Sequence, residues 1–346
     1  MTRDQATRGR VMQGELMAML GLRFDLRVPG FAPTTHTAQY AACLEMCEWA
    51  DRLGLDSIVL QEHHGLPDGY LPAPLALAGV VLGRTPRIPV SISAVIVPLH
   101  DPVRLAEQLA VLDVAAPGRI TVIAAIGYRA AEFEMAGVEK KGRGALLEEC
   151  LDVWRRAWTG EPFEWRGREV LVTPAPATPG GPTVLVGGGS EAAARRAARL
   201  RCGFFPTHGD PALAVAYEDE ATKVGFAEGF CGLPSGPGFV MISEDPDATW
   251  EQIGPNVLFD NQTYESWQDP PLGFLTVAYG ARTWQDVRDS GIYRVVTPDE
   301  CVDLVQEQGD FGSMLLHPLM GGIAPELAWE SLALFEHKVL QRVRPS

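Results

Sequence analysis

Three ionisable side chains stand next to one another in the segment LQEHHG (60–65): Glu62, His63 and His64. They come one residue after DSIVL (56–60), which is typical of a buried strand. Polar groups packed at the end of an apolar segment cost free energy unless they are hydrogen bonded or used. These residue types could form a metal site, a general acid and base, or a hydrogen-bonded cap on the strand.

A metal site requires three or four converging ligands, whereas adjacent histidines on a strand or loop point apart. The sequence has no HExxH pattern, and its six cysteines are scattered without a pair of CxxC units. We therefore expect no metal site. A histidine that faces a binding site beside an orienting carboxylate could act as an acid, a base or a hydrogen-bond donor, and the strand-cap interpretation stays open beside this one.

A glycine run marks a second candidate site in LVGGGSEAAARRAARL (185–200). A strand is followed by Gly187, Gly188 and Gly189, then by Ser190 as the N-cap of a helix. Free backbone N–H groups, the positive end of the helix and a hydroxyl together predict a phosphate cradle. The alternative is a tight turn that needs glycine for its backbone angles. Neither a Rossmann fingerprint nor a P-loop follows.

The elements that position these residues alternate between short apolar runs and helical patterns from about residue 15 onward, which predicts a parallel sheet with crossover helices. Several runs are almost uniformly apolar, as expected for strands that are covered on both faces. Eight strands, each followed by a helix, favour a (β/α)8 TIM barrel with insertions. The predicted strands are 16–27, 56–60, 90–97, 120–126, 183–187, 202–205, 238–242 and 313–317.

Helix punctuation supports this order. The apolar spacing of residues 40–47 with Gly54 after it, the sequence Asp101-Pro102, and the capping box TPDE (297–300) predict helix ends, and 325–340 is the last helix. We interpret 1–13 as a flexible tail and 14–346 as one barrel domain. It carries insertions near 160–182, a hairpin and loop, and near 245–296, a lid over the barrel mouth or a subunit contact.

In such a barrel the active site lies at the carboxyl ends of the strands. The polar candidates there are Asp25 and Arg27 after strand 1, the residues 62–64 after strand 2, Ser91 and Ser93 on strand 3, Gly127, Tyr128 and Arg129 after strand 4, the glycine run after strand 5, Thr207 and His208 after strand 6, and His317 after strand 8.

Composition limits the partners. The formal net charge of −15 repels nucleic acid and anionic lipid, so we expect neither as a partner. The scattered cysteines fit a reducing cytoplasm, and the polar start of the chain has no apolar stretch long enough for a signal or a membrane span.

Five motifs, in order and spacing, resemble the bacterial luciferase-like family of flavin- or deazaflavin-dependent oxidoreductases. They are WADRLGLDSIVLQEHHG (49–65), VPLHDPVRLAEQLAVLDVAAPGRI (97–120), GYRAAEFEMAGV (127–138), LEECLDVWRRAWTGEPFEWRG (147–167) and VGGGSEAAARRAARL (186–200). The resemblance is close over roughly 15–205 and looser beyond. No cysteine corresponds to the reactive one that the luciferases carry on strand 4, so long-chain aldehyde specificity does not carry over.

The resemblance implies a flavin or deazaflavin ring at the barrel mouth and a non-prolyl cis peptide bond between Ser93 and Ala94. It places Gly127 and Tyr128 along the ring and residues 187–190 at the phosphate, with Asp25 a further cofactor-binding candidate. His63 is the first candidate for catalysis, as proton donor or hydrogen-bond partner to the reduced ring, with His64 and Glu62 as its supports.

These expectations lead to a reduced-FMN-dependent monooxygenase that oxidises a small organic substrate with O2. The alternative is a hydride transferase that uses the deazaflavin coenzyme F420. A non-catalytic flavin-binding subunit is a third hypothesis, against which the intact residues 62–64 and the glycine run argue. A separate flavin reductase and a homodimer are the expected partners, the latter by analogy alone.

Overall fold

Seven strands of the barrel lie in one parallel sheet. The computed structural model describes residues 18–268, 272–274, 276–309 and 312–344. The strands are β1 (Met19–Phe24), β2 (Ser57–Leu60), β3 (Val90–Ile96), β4 (Ile120–Ala125), β5 (Phe163–Trp165), β6 (Arg168–Val170), β7 (Thr183–Gly188), β8 (Gly203–Pro206), β9 (Phe239–Ile242), β10 (Tyr293–Val296) and β11 (Ser313–Leu316). Seven of them pair side by side in the order β11-β1-β2-β3-β4-β7-β8, and every pairing among these seven is parallel.

Helices follow the strands as crossover connections, which is the arrangement that the alternating sequence pattern predicts. The helices are α1 (His36–Leu53), α2 (Pro74–Arg84), α3 (Pro102–Ala115), α4 (Ala130–Ala136), α5 (Arg143–Ala157), α6 (Glu191–Arg199), α7 (Pro211–Lys223), α8 (Pro246–Ser266), α9 (Trp284–Asp289), α10 (Pro298–Gln308), α11 (Pro325–Leu334) and α12 (Gln341–Val343), with short 3₁₀ turns at Val97–Leu99 and Met320–Gly322 and a π-helical stretch at Phe335–Leu340. None of these helices combines the length and apolar content that a membrane span requires.

The predicted helix ends are confirmed at three places. Gly54 ends α1 in the left-handed conformation, with φ of 71°. The Asp101 side chain accepts hydrogen bonds from the backbone N–H groups that open α3. Thr297 and Glu300 form the reciprocal capping box of α10. Local sequence therefore determines where these helices begin or end.

The seventh barrel position differs from the simplest prediction. Strand β9 forms where expected, but its hydrogen-bonded partner is β10, with Tyr293 opposite Phe239 and Val296 opposite Ile242. β9 also lies against β11, the strand at one edge of the seven-stranded sheet. β10 falls within 245–296, where no strand was predicted, because four residues are too few for a clear alternation to show in the sequence.

Both segments proposed as insertions contain secondary structure. β5 and β6 pair antiparallel within 160–182, which confirms the predicted hairpin. The segment 245–296 contains α8, α9 and β10. Strand 1 was predicted as 16–27 and spans Met19–Phe24. The proposed tail 1–13 lies outside the described residues, and the division into one barrel domain with a tail stays a prediction.

Candidate active site

Strand β2 delivers the EHH motif to the mouth of the barrel. Glu62 and His63 are buried and His64 is half-buried, and Gln61 separates them from the four buried residues of β2. The backbone N–H of His63 donates to the carbonyl of Leu71, and the N–H of Leu71 donates to the carbonyl of Asp25. Asp25 follows β1, so these bonds tie the ends of the two neighbouring strands together.

His63 forms a hydrogen-bonded pair with Glu132, the third residue of α4. Its Nδ1 atom lies 2.7 Å from Glu132 Oε1, and the same oxygen accepts the backbone N–H of His64 at 3.0 Å and the Arg129 guanidinium at 3.1 Å. Burial favours the neutral form of Glu132, but the hydrogen bond from His63 and the neighbouring donors outweigh it and lower its pKa. An ionised Glu132 can only accept, so His63 carries a proton on Nδ1.

The other ring nitrogen of His63 is therefore the basic one. Burial lowers the pKa of His63, although Glu132 opposes this shift, so the imidazole is neutral at neutral pH. Nε2 then holds a lone pair, and the hydroxyl of Tyr128 lies 3.3 Å from it. This arrangement presents a neutral base whose orientation and tautomer are fixed by a carboxylate.

Glu62 is held by two imidazoles. Its Oε1 atom lies 2.9 Å from Nε2 of His64 and 2.8 Å from Nε2 of His100, and its Oε2 accepts the backbone N–H of Ile96 at 2.7 Å. Burial would raise the pKa of Glu62, but these hydrogen bonds outweigh it and bring the pKa to about 2. The bond to Glu62 raises the pKa of His64. His63 and His64 point to different carboxylates, as expected for adjacent residues.

The side chains of Glu62, His64 and His100 also have a spacing that a metal ion could use, since their ligand atoms all lie within 4.8 Å of one another. His100 precedes α3 and stands 38 residues from Glu62, so no sequence pattern signals the grouping. The hydrogen bonds described above satisfy the same atoms. The expectation of no metal site stays a prediction.

Aromatic rings enclose His63. The ring centroid of Tyr70 lies 4.8 Å from that of His63, Tyr128 lies at 5.6 Å, and Trp267 lies at 4.6 Å. The Arg129 guanidinium lies 4.6 Å from the Trp267 ring. Trp267 directly follows α8, so the end of this helix covers the mouth of the barrel at His63. Such a wall excludes water from the imidazole and strengthens its electrostatic interactions.

The glycine run forms a close strand-to-helix turn at the end of β7. A Cβ atom on Gly187 would lie 2.9 Å from Ile123, one on Gly188 would lie 2.6 Å from Ala193, and one on Gly189 would lie 2.5 Å from Thr207 Oγ1. Gly188 has φ of 154°, which side chains disfavour. Ser190 caps α6 through a hydrogen bond from the Ala193 N–H, as predicted. The packing therefore requires glycine in this turn, and the turn leads directly into a helix N-terminus, which is the place that suits an anion.

The remaining predicted residues lie on the adjoining strands. The peptide bond between Ser93 and Ala94 is cis, as the resemblance implies, and both residues are half-buried on β3. Gly127 has φ of 70°, and a Cβ there would lie 2.6 Å from Ile96. β3, β4 and β7 are consecutive in the sheet, so these residues and the glycine run share one edge. Asp25 is buried at the end of β1 on the other side of β2.

Sequence reasoning missed Glu132, His100 and Trp267. Glu132 had a usable signal: it lies in the first turn of a helix, three residues after Arg129, where a carboxylate is favoured. His100 and Trp267 had no comparable signal in the sequence, because each contacts the site only through the tertiary fold. Thr207 and His208 lie beside the glycine run, with His208 Nε2 3.2 Å from the carbonyl of Gly189.

Curated relatives are similar to part of the chain. The oxygenase component of flavin-dependent trigonelline monooxygenase from Acinetobacter baylyi is 27% identical over 135 residues, which is 38% of this chain and 37% of that protein. The alignments with the first curated relatives span less than half of each relative's length.

Solved structures share the fold over nearly the whole chain. The oxygenating constituent of 3,6-diketocamphane monooxygenase from Pseudomonas putida, solved with FMN, has a TM-score of 0.70 at 17% identity and covers 94% of this chain and 98% of its own. An F420-dependent secondary alcohol dehydrogenase has a TM-score of 0.67 at 15% identity, covering 95% and 99%. These likenesses confirm the TIM-barrel fold class. The family model for luciferase-like monooxygenases matches residues 24–306, and the chain belongs to that family.

Proposed function

We propose that this protein is a flavin-dependent oxidoreductase, a reduced-FMN-dependent monooxygenase that oxidises a small organic substrate with O2. The observation that carries the proposal is the buried, neutral His63, oriented by Glu132 at the same barrel mouth as a helix N-terminus that follows three glycines. His63 supplies a base in a site from which water is excluded, and the helix N-terminus suits the phosphate of a cofactor. The family membership of the chain supports the same reading.

The residues present fit FMN. Its phosphate would lie at the backbone of Gly187–Ser190, beside the buried Oγ1 of Thr207, which lacks a partner among the described residues. Its ring would lie along Ser93, Ala94, Gly127 and Tyr128, with Asp25 towards β1. When bound, reduced FMN supplies the electrons that activate O2.

The chain's own groups would then bind, orient and move protons. The Nε2 atom of His63 accepts a proton, and Glu132 stabilises the imidazolium that results. Glu62 fixes His64 and the backbone at Ile96, which holds the end of β2 against β3. Trp267 and Tyr70 exclude water from this proton transfer.

The alternative is a hydride transfer that uses the deazaflavin coenzyme F420. The F420-dependent alcohol dehydrogenase shares this fold, and the same His63–Glu132 pair could serve as its proton donor or acceptor. Two observations favour FMN: the family model is named for monooxygenases, and the trigonelline relative is a flavin-dependent one. A non-catalytic flavin-binding subunit fits less well, because it would have no use for the buried pair.

For partners and location we propose a separate flavin reductase, a homodimer and the cytoplasm. The trigonelline relative is named as an oxygenase component, which implies a second component in that system. Three large apolar side chains lie exposed on neighbouring helices, Val80 on α2 and Val111 and Val114 on α3, and a second copy could cover them. All six cysteines are free thiols, as in a reducing compartment.

The test is a comparison of dissociation constants for FMN and for coenzyme F420, measured separately on the purified protein by fluorescence. We expect FMN to bind more tightly than F420, and reduced FMN with O2 to support substrate oxidation. The reverse preference would establish the alternative. Binding of neither cofactor below about millimolar, an affinity of only about 4 kcal/mol, would contradict both.

A further inference from the structure

Three side chains of the kind that bind metal ions converge after β2, although one of them comes from a distant segment. Glu62 Oε1 lies 2.9 Å from His64 Nε2 and 2.8 Å from His100 Nε2, and all three atoms lie within 4.8 Å of one another. His100 is 38 positions from Glu62 and follows the 3₁₀ turn Val97–Leu99. The spacing of residues 62–64 in the sequence therefore says nothing about this grouping.

The donor atoms and their separations suit a divalent transition-metal ion. Two imidazole nitrogens and one carboxylate oxygen form a ligand set that Zn²⁺ uses in sites that keep a water as the fourth ligand. Tetrahedral ligands at about 2.0–2.1 Å from zinc stand roughly 3.3 Å apart, so the carboxylate oxygen and each nitrogen need to separate by only about 0.5 Å. Mg²⁺ and Ca²⁺ prefer oxygen ligands, and this site would satisfy them less well.

Glu62 is held in the orientation that such an ion requires. Its Oε2 atom accepts the backbone N–H of Ile96 at 2.7 Å, which leaves Oε1 directed at the two imidazoles. Hydrogen bonds of this kind fix a ligand carboxylate and are a regular part of metal sites. His63 turns instead to Glu132, so the three groups are separate from that pair.

The hydrogen bonds among the three groups can be exchanged for bonds to an ion. The Glu62 oxygen accepts both hydrogen bonds, so each imidazole donates from Nε2. Within the described ranges no hydrogen bond holds the Nδ1 atom of either ring, so each neutral imidazole can carry its proton on Nδ1 and offer the Nε2 lone pair. The two arrangements therefore differ by two proton positions and small side-chain shifts.

A cavity gives an ion access to these groups. Glu62 and His100 line a cavity of 710 Å³ between α2 and α3. The side chain of His100 is 27% exposed, and that of His64 is 16% exposed. Arg104 also lines the cavity, but its guanidinium pairs with Glu107 at 2.6 Å, which offsets its positive charge. The net charge of −15 further favours the approach of a cation.

We propose that Glu62, His64 and His100 form a binding site for a divalent transition-metal ion of the Zn²⁺ class. The ion has three protein ligands and a fourth position that faces the cavity. It joins the chain after β2 to the residue that precedes Asp101, the N-cap of α3, and so stabilises the folded chain. The site departs from the expectation of no metal drawn from the sequence, and it is independent of the proposed flavin function.

The experiment titrates the full chain, first freed of metal with a chelator, with ZnCl2 by isothermal titration calorimetry. We expect one equivalent of Zn²⁺ to bind with a Kd of about 1 μM or tighter. The melting temperature should rise with the Zn²⁺ concentration, because the ion binds the folded state. Mg²⁺ at about 1 mM should not compete, because two of the three ligands are nitrogens.

Two variants and a control locate the site. His100→Gln keeps a hydrogen-bond donor for Glu62 but removes the imidazole, and it should weaken Zn²⁺ binding about 100-fold, since a ligand rather than an outer partner is lost. His64→Ala should have a similar effect and keeps the test decisive if His100→Gln does not fold. His337→Ala removes an exposed histidine elsewhere and should leave the Kd unchanged.

Three outcomes would overturn the proposal. They are Zn²⁺ binding weaker than about 100 μM, displacement of Zn²⁺ by Mg²⁺ at about 1 mM, and an unchanged Kd in either histidine variant that folds. Each of them would leave a hydrogen-bonded cap on the end of β2 as the role of the three groups.

Discussion

The Nδ1 atom of His63 lies 2.7 Å from Oε1 of Glu132, a residue 69 positions away in the first turn of α4. Both side chains of the pair are buried, and that of Glu132 is inaccessible to solvent. One carboxylate thereby fixes the tautomer of the imidazole and stabilises its protonated form.

Replacing Glu132 by Gln keeps the shape and removes the charge. We expect kcat to fall about 10- to 100-fold while FMN affinity stays nearly constant, because Glu132 acts through His63 rather than on the cofactor. Since Glu132 raises the pKa of His63, the acid limb of the kcat profile should move to lower pH. Steady-state kinetics across pH measure both effects. Glu134→Gln, exposed on the same helix, is the matched control, and equal losses in the two variants would contradict the assignment.

Replacing His63 by Ala should retain FMN binding within roughly tenfold and remove most turnover, because the base is lost while the phosphate cradle remains. Fluorescence titration and a turnover assay measure the two quantities on one preparation. The exposed His337→Ala serves as a control for histidine replacement in general. Unchanged turnover in His63→Ala would remove this residue from catalysis.

Replacing Gly188 by Val should weaken FMN much more than riboflavin, by about tenfold or more, because the new Cβ displaces the backbone that faces the phosphate. The comparison of the two ligands isolates the phosphate contribution. Gly83→Ala, in the open at the end of α2, should leave both affinities unchanged and stabilise the helix slightly. Equal losses for FMN and riboflavin would indicate a general folding defect at Gly188.

The pKa of Glu62 predicts how stability responds to acid. The pKa of a glutamate in the unfolded chain is about 4.3, whereas the pKa of Glu62 in the folded protein is about 2. A folded pKa below the unfolded one contributes stability that is present above the unfolded pKa and lost as pH falls towards the folded pKa. Denaturant unfolding between about pH 5 and pH 2 should therefore show a smaller acid-dependent loss in Glu62→Gln than in the native protein. The exposed Glu251→Gln should leave the slope unchanged, and a slope in Glu62→Gln equal to the native one would refute the assignment.

The features that could be predicted from the sequence are those that depend on the pattern of neighbouring residues. Apolar runs located the strands, and Thr297 with Glu300, or Asp101 with Pro102, located helix starts, because caps are satisfied by neighbours a few residues away. The motif at 62–64 was placed at the barrel mouth by its position after β2. The pairing of β9 with β10 was out of reach, since a four-residue strand acquires its identity from the partner it meets.

The partners of the motif were equally hidden from sequence. Two different carboxylates hold His63 and His64, one of them supplied by the adjacent Glu62 and the other by Glu132. Trp267 reaches His63 from 204 positions further along the chain, counting from 63 to 267, and no periodicity links the two. Contacts of this kind form only when the barrel closes, and no pattern of neighbouring residues in the sequence indicates them.

The buried guanidinium of Arg27 has a consequence for the order in which the molecule is made. It is paired with Asp68 at 2.6 Å and with Asp260 at 3.0 Å, and its side chain is wholly enclosed. During synthesis Asp68 emerges 41 residues after Arg27, whereas Asp260 emerges only 233 residues after Arg27. The first half of the barrel therefore leaves the ribosome with a cation whose second counter-charge has not yet been made. Water can be excluded from the barrel mouth only after α8 has been synthesised and has packed there. The nascent chain therefore completes its binding site late in folding.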